Sequence, residues 1–400
     1  MRQYDLAVFN LVDKYAFDIC RDAIWNEDRC TWLDEFKTGT NSYETKVLGT
    51  SFYDGISGIA YFLAAYYQIS PNLLIKKTIE GAVQQCLYLY NKEKKSLSFF
   101  VGDVGICYAL HYSGNVLHRS DWVDNSLEIL KTITHSPSNE IKIDVIEGCS
   151  GVISCLIYFN KLYPELNLEK FITTLGNLII DKSIKTKVGT YWAGNENSNV
   201  GLCGFSHGAS GMANALLDAY SISKNRTFYD CAFDAFRYED YYFSNKESNW
   251  PDLRTNNQNI VSYSCFWCHG APGIGISRLK ALSFARNESI NRDILSAINV
   301  TINKTHFKNL KNFGLCHGTL GNIDFLMEAE KLIHNDDIFS FINDNLNYIQ
   351  SEYIAKNRNI PGESSSNSLS NGFMLGKAGI GYQLLKVYKS DYKSILSLDF

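Results

Sequence analysis

GISGIAYFL, residues 55–63, sets a Gly-x-x-Gly pair directly before an apolar run, and the chain repeats that arrangement six more times. GDVGICYAL (102–110), GCSGVISCL (148–156), GASGMANALL (208–217), GAPGIGISRL (270–279), GTLGNIDFL (318–326) and GKAGIGYQLL (376–385) all share it. With 28 glycines in 400 residues, roughly two such pairs would arise by chance. The first glycines lie 47, 46, 60, 62, 48 and 58 residues apart, so this is a seven-fold repeat with variable insertions. An eighth pair, Gly201/Gly204, lacks the apolar run.

Between the glycine units lie stretches with apolar residues at i, i+3, i+4 and i+7: LLIKKTIEGAVQQCLYLY (73–90), LEKFITTLGNLIIDKSI (168–184) and DDIFSFINDNLNYIQSEYI (336–354). Sustained period-2 alternation is largely missing, so strands are not expected. Each repeat reads as an amphipathic helix plus a nearly all-apolar one; the apolar helix must be buried all round and the amphipathic one wraps outside it. The fold class is therefore all-α. Seven pairs returning to their start make a double-walled α/α toroid; an open superhelix of helix pairs is the alternative. A glycine opening each inner helix permits close backbone approach and unusual turns. The free N–H groups at those helix starts would form a hydrogen-bond-donating rim. The spacing predicts a toroid over residues 50–400, with an insertion around 228–264. Residues 1–49 form an N-terminal helical extension packed on it, with an amphipathic helix over 4–20.

Charged residues make up 20% and hydrophobic ones 45% of the chain, a globular balance. No apolar run reaches the roughly 20 residues that span a bilayer, and no secretory signal opens the sequence. A net charge of −4 supplies no basic field for nucleic acid. These features predict a cytoplasmic protein that is not transmembrane. Eleven cysteines, an odd number in a long chain, argue against a disulfide framework. Cys86, Cys149, Cys155, Cys203 and Cys231 read as small buried hydrophobes.

Cys and His concentrate just before three of the glycine turns: Ser206-His207-Gly208, Trp267-Cys268-His269-Gly270 and Leu315-Cys316-His317-Gly318. Cys268, Cys316 and His317 offer two thiolates and an imidazole, a soft set suited to Zn²⁺. Three protein ligands leave the fourth tetrahedral position open, as in catalytic sites. Cys265, in Cys-Phe-Trp-Cys with Cys268, is the alternative fourth ligand of a closed structural site.

GFSHGASG, WCHGAPGIGISRL, GLCHGTLGN and GKAGIGYQLL together resemble the lanthionine synthetase C-like cyclases, from about Thr50 to the C-terminus. YEDYYFSNKESNWPDLR (238–254) and WCHGAPGI are similar to the cyclase half of class II lanthipeptide synthetases. The resemblance implies an α/α toroid holding one Zn²⁺ on Cys268, Cys316 and His317. It implies a cyclase that adds peptide Cys thiolates to dehydroalanine or dehydrobutyrine, giving thioether rings. The class II enzymes carry a dehydratase domain for which these residues leave no room. The expected partners are thus a dehydrated precursor peptide and a separate dehydratase, with association to a membrane-bound modification and export complex. Two other readings are an enzyme joining glutathione to dehydroamino acids and a non-catalytic, zinc-containing peptide-binding scaffold.

A free thiol is only slightly ionised at neutral pH, so the reaction needs a device that favours the thiolate. It also needs an acid for the enolate left at the α-carbon. His207 has the pKa range for either proton transfer, or it hydrogen-bonds within the rim as a structural residue. Asp144 matches the family aspartate near the metal and would orient His207 or shuttle a proton; the plain reading is a helix-capping acid. His269 is expected beside the ligand set rather than in it. Trp267 is expected to pack between helices. Arg254 is open between Asp144, a peptide carboxylate and a structural ion pair.

Overall fold

The structure is a computed structural model and describes residues 5–39, 42–92, 95–135, 141–193, 200–254, 261–305, 312–356, 358, 360–361 and 369–400. Among them the chain forms fourteen α-helices and three short antiparallel hairpins. α1 (Asp5–Arg21) precedes β1 (Ile24–Asn26) paired with β2 (Arg29–Thr31), and β3 (Leu33–Lys37) paired with β4 (Tyr43–Val47). α2 (Ile56–Tyr67), α3 (Leu73–Tyr90), α4 (Asp103–Leu117), α5 (Ser120–His135), α6 (Ile153–Leu162) and α7 (Glu169–Asp181) follow. After the β5 (Ile184–Thr186) and β6 (Gly189–Tyr191) hairpin come α8 (Ala209–Ser223), α9 (Arg226–Tyr242), α10 (Ala271–Ala281) and α11 (Glu288–Lys304). α12 (Thr319–Ile333), α13 (Asp336–Ile349) and α14 (Lys377–Tyr388) complete the set. No described helix is long and apolar enough to cross a membrane.

The even-numbered helices are the ones that begin at the glycine turns. Gly55, Gly102, Gly208, Gly270 and Gly376 are N-caps of α2, α4, α8, α10 and α14, and Gly148 caps a 3-10 turn leading into α6. α2 is buried from Ile56 to Tyr66, as an all-apolar helix must be. The second glycine of each pair has a steric job. A Cβ at Gly105 would lie 2.0 Å from the Phe99 carbonyl oxygen, and one at Gly211 would lie 2.0 Å from that of Phe205. The same clash, with the residue six positions back, recurs at Gly58, Gly151 and Gly273. Gly105→Ala should therefore destabilise by about 3 kcal/mol, the upper end of ordinary overpacking, because the obstacle is backbone rather than a movable side chain. The midpoint of urea unfolding measures this; an unchanged midpoint would mean the turn has room to relax.

The described residues form two compact units, one of residues 1–139, 309–320 and 343–393, the other of 140–308, 321–342 and 394–400. In the first, α2 packs with α3, α4 with α5, and α14 lies beside α2. The seventh repeat therefore neighbours the first, the relation that a closed ring has and an open superhelix lacks. Backbone bonds stitch successive turns: Leu315 N–H to Met374 O at 2.8 Å, Met374 N–H to Tyr53 O at 2.7 Å, Tyr53 N–H to Phe100 O at 2.8 Å. The helix expected over 4–20 is α1, and it packs along α14. Among the described residues α1 is the helix that packs on α14 from outside the glycine repeat, so it takes the outer position of the seventh pair. In the second unit α6 packs with α7, α8 with α9 and α10 with α11. The inner helices α2, α4, α6, α8 and α10 are thus each paired with the outer helix that follows in sequence.

The hairpins depart from the sequence expectation. β1–β2 and β5–β6 have strands of three residues, too short for alternation to show. Both follow an outer helix and end at a buried tryptophan reaching back to it. The Trp32 indole N–H donates to Ile19 O at 2.8 Å and that of Trp192 to Ile179 O at 2.7 Å. In the expected insertion, 228–242 lies within the regular helix α9, and residues 243–254 and 261–264 are irregular.

Candidate metal centre and proton-transfer site

Two of the backbone stitches in the second unit fix the registers of three glycine turns. Val145 N–H donates to Ser206 O at 2.9 Å, and Ser206 N–H donates to Cys268 O at 3.1 Å. The Ser206 hydroxyl also donates to Cys268 O at 3.1 Å. Asp144, His207 and Cys268 consequently sit on adjacent strands of chain. His207 Nδ1 lies 3.4 Å from Asp144 Oδ2. The other Asp144 oxygen accepts the Glu147 N–H at 2.6 Å, so the capping-type bond and the histidine contact coexist in one carboxylate. Burial lowers the pKa of His207, but the hydrogen bond and charge of Asp144, with Glu147 and Cys268, outweigh it and hold the ring above its ordinary value.

Backbone conformation and burial separate His207 from His269, although both directly precede a first glycine. Gly208 has φ −110°, whereas Gly270 has φ +114°, a left-side conformation that glycine adopts without Cβ strain. The His207 side chain is 40% exposed, while His269 is only 3% exposed. His269 Nε2 is 3.4 Å from the Ser206 hydroxyl, and its ring stacks at 6.0 Å on that of His207. Burial, with the Arg254 charge, pulls its pKa down. His269 therefore supports the turn from within.

In the other unit Cys316 and His317 occupy the same two positions ahead of Gly318. Leu315 and Cys316 N–H groups both reach Met374 O, at 2.8 and 3.1 Å, so the turn is fixed by backbone. Cys316 and His317 in this unit, and Cys268 in the other, are two thiols and an imidazole that stand directly before their glycine turns. Two sulfurs and one ring nitrogen are a donor set that suits a tetrahedral, borderline-soft cation. Cys265 is not part of this group: its Sγ lies 3.9 Å from Val300 O, and burial pushes its thiol up to about 12.

The remaining expected residues have structural partners. The Trp267 indole N–H donates to Leu396 O at 2.8 Å and its ring packs 5.6 Å from Phe205. Arg254 forks onto Asp252, with Nε 2.8 Å from Oδ1, rather than onto Asp144. Burial raises the Asp252 carboxyl, but the Arg254 bonds outweigh it and hold the pKa down at about 2. Sequence reading missed Glu239. A glutamate in an amphipathic helix reads as solvated, yet it is fully buried beneath the His207 turn.

Residues 46–400 match the family described as lanthionine synthetase C-like protein, and the chain belongs to that family. Over 380 residues it is 27% identical to the lacticin 481/lactococcin biosynthesis protein LcnDR2 of Lactococcus lactis subsp. lactis, covering 91% of this chain. The chain spans only 38% of that relative's length. The fold is similar to that of nisin cyclase, with a TM-score of 0.69 at 16% identity, covering 98% of this chain and 96% of that one. The fold class is accordingly the all-α, α/α toroid that the repeat predicts.

Proposed function

We propose that this chain is a zinc-dependent lanthionine cyclase acting on a dehydrated, ribosomally made peptide. The observation that carries the reading is the soft donor set of Cys268, Cys316 and His317; family membership supports it independently. Zinc bound there would supply a Lewis acid that favours the thiolate of an incoming peptide cysteine.

The reaction forms one C–S bond to the β-carbon of a dehydroalanine or dehydrobutyrine. The alkene electron pair moves to the α-carbon enolate, the thiol gives up a proton and the α-carbon gains one. The net proton count is zero, so one positioned imidazole can serve both ends. His207 fits that role by its partial exposure and by its contact with Asp144. With Nδ1 held by the carboxylate, Nε2 is the atom left for the substrate. Asp144 then orients the ring and stabilises its cation.

The substrate must arrive dehydrated, which requires a dehydratase outside these 400 residues. Neither glutathione transfer nor a scaffold role is favoured by a feature among the described residues. Ring formation on a pre-dehydrated peptide, scored by loss of alkylatable thiols, tests the reading. In that assay Asp144→Asn should slow cyclisation about 10-fold or more with metal content unchanged, since Asn caps a turn as well as Asp does but carries no charge for His207. Full activity would reduce Asp144 to its bond with Glu147.

A further inference from the structure

We infer that Glu239 is a positioning residue for His207, an inference that rests on the cyclase reading above. Glu239 lies on α9 and is fully buried. Its Oε1 accepts the N–H of Gly204 at 2.9 Å and of Ser210 at 3.1 Å. Its Oε2 accepts the Ser210 hydroxyl at 2.6 Å and pairs with Arg278 at 2.9 Å. The two backbone donors stand three residues before and three residues after His207. One carboxylate therefore pins both ends of the turn that presents the imidazole.

The rest of the arrangement holds that carboxylate in place. Arg278 is fully buried; its Nε pairs with Asp293 at 2.9 Å, its NH1 donates to the Ser210 hydroxyl at 3.1 Å, and the guanidinium lies 4.0 Å over the Phe236 ring. Ser210 N–H is in the first turn of α8, where the helix dipole favours an anion. Gly204 has φ +111°, and a Cβ there would meet Cys268 O at 3.1 Å, so the pinned turn also abuts the Cys268 loop. One residue earlier on α9, the Tyr238 hydroxyl donates to Gly201 O at 3.0 Å. α9 is thus a rigid rail under residues 201–210. A charged side chain this costly to bury earns its place through geometry that a neutral core would not impose.

Glu239→Asp keeps the charge beside Arg278 but withdraws it by one methylene, so the turn shifts rather than unfolds. Misplacing a reacting group by about 1 Å can cost about 10²-fold. The test is a double-mutant cycle on kcat for ring formation with His207→Ala, using a pre-dehydrated peptide and protein of confirmed zinc content. Glu239→Asp should lower kcat about 10²-fold with KM held in the His207 protein and have no further effect in the His207→Ala background. Equal losses in both backgrounds would overturn the inference and leave Glu239 a stability residue. Should Glu239→Asp not fold, Glu239→Gln, which keeps the side-chain shape and leaves Arg278 paired with Asp293, enters the same cycle with the same two outcomes. Absence of ring formation by the unaltered protein would instead sink the cyclase reading, and the inference with it.

Discussion

Cys316→Ala should leave the protein folded but without metal, and ring formation should fall by on the order of 10³-fold or more. Losing one of three donors removes a charged sulfur from the set, and Lewis-acid assistance is worth several kcal/mol of transition-state stabilisation. The fold survives because the turn does not depend on the ion. Leu315 and Cys316 are tied to Met374 O through backbone, and Phe313, Leu315 and Leu320 are buried around them. Small zinc domains unfold without metal because they have little other core, whereas here fourteen helices supply it. Elemental analysis beside circular dichroism reads both halves. Unfolding of the variant would assign the metal a structural role. Two sulfurs and one nitrogen are expected around zinc in the unaltered protein by X-ray absorption, and a third sulfur would bring Cys265 back.

His207→Ala is the second large effect, a loss of about 10²–10⁴-fold in the rate of ring formation with zinc retained. Zinc held by Cys268, Cys316 and His317 would assist the thiol, so attack would not wholly depend on an imidazole. Enolate protonation has no such substitute among the described neighbours. Asp144 lies next to His207 and is spent on it and on the Glu147 N–H, while His269 is 3% exposed and faces Ser206. Rings should therefore form slowly in the variant, with loss of control over the α-carbon configuration. Chiral analysis of the released lanthionines, together with the rate, decides it. Unaltered rate and configuration would hand proton delivery to solvent and return His207 to a structural role.

The repeat was legible because its constraint is steric and local. A glycine whose Cβ would strike a carbonyl six residues back cannot be replaced cheaply, so the pair recurs visibly at Gly58, Gly105, Gly151, Gly211 and Gly273. The Cys and His residues were legible for a related reason. They stand one and two residues before the first glycine, in turns whose registers are fixed by the Val145–Ser206 and Ser206–Cys268 bonds in one unit and the Leu315–Met374 bond in the other. The hairpins were not legible, because three-residue strands show no period and are held by Trp32 and Trp192 bonds to the preceding helix. Nor was the membership of α1 in the seventh pair, since that contact joins the two ends of the sequence. Glu239 escaped for a third reason: only its partners, Arg278 and the Gly204 and Ser210 N–H groups, reveal that it is buried.

The most direct measurement is the thiol count of a pre-dehydrated, cysteine-containing peptide before and after incubation with the zinc-loaded protein. Cyclisation leaves the peptide's mass unchanged and removes one alkylatable thiol per ring. Cyclase activity means that alkylation adducts disappear far faster than without protein, and that free glutathione in the mixture adds no mass to the peptide. Thiol counts that decline only at the uncatalysed rate, or a peptide that gains glutathione in place of closing its rings, would contradict it.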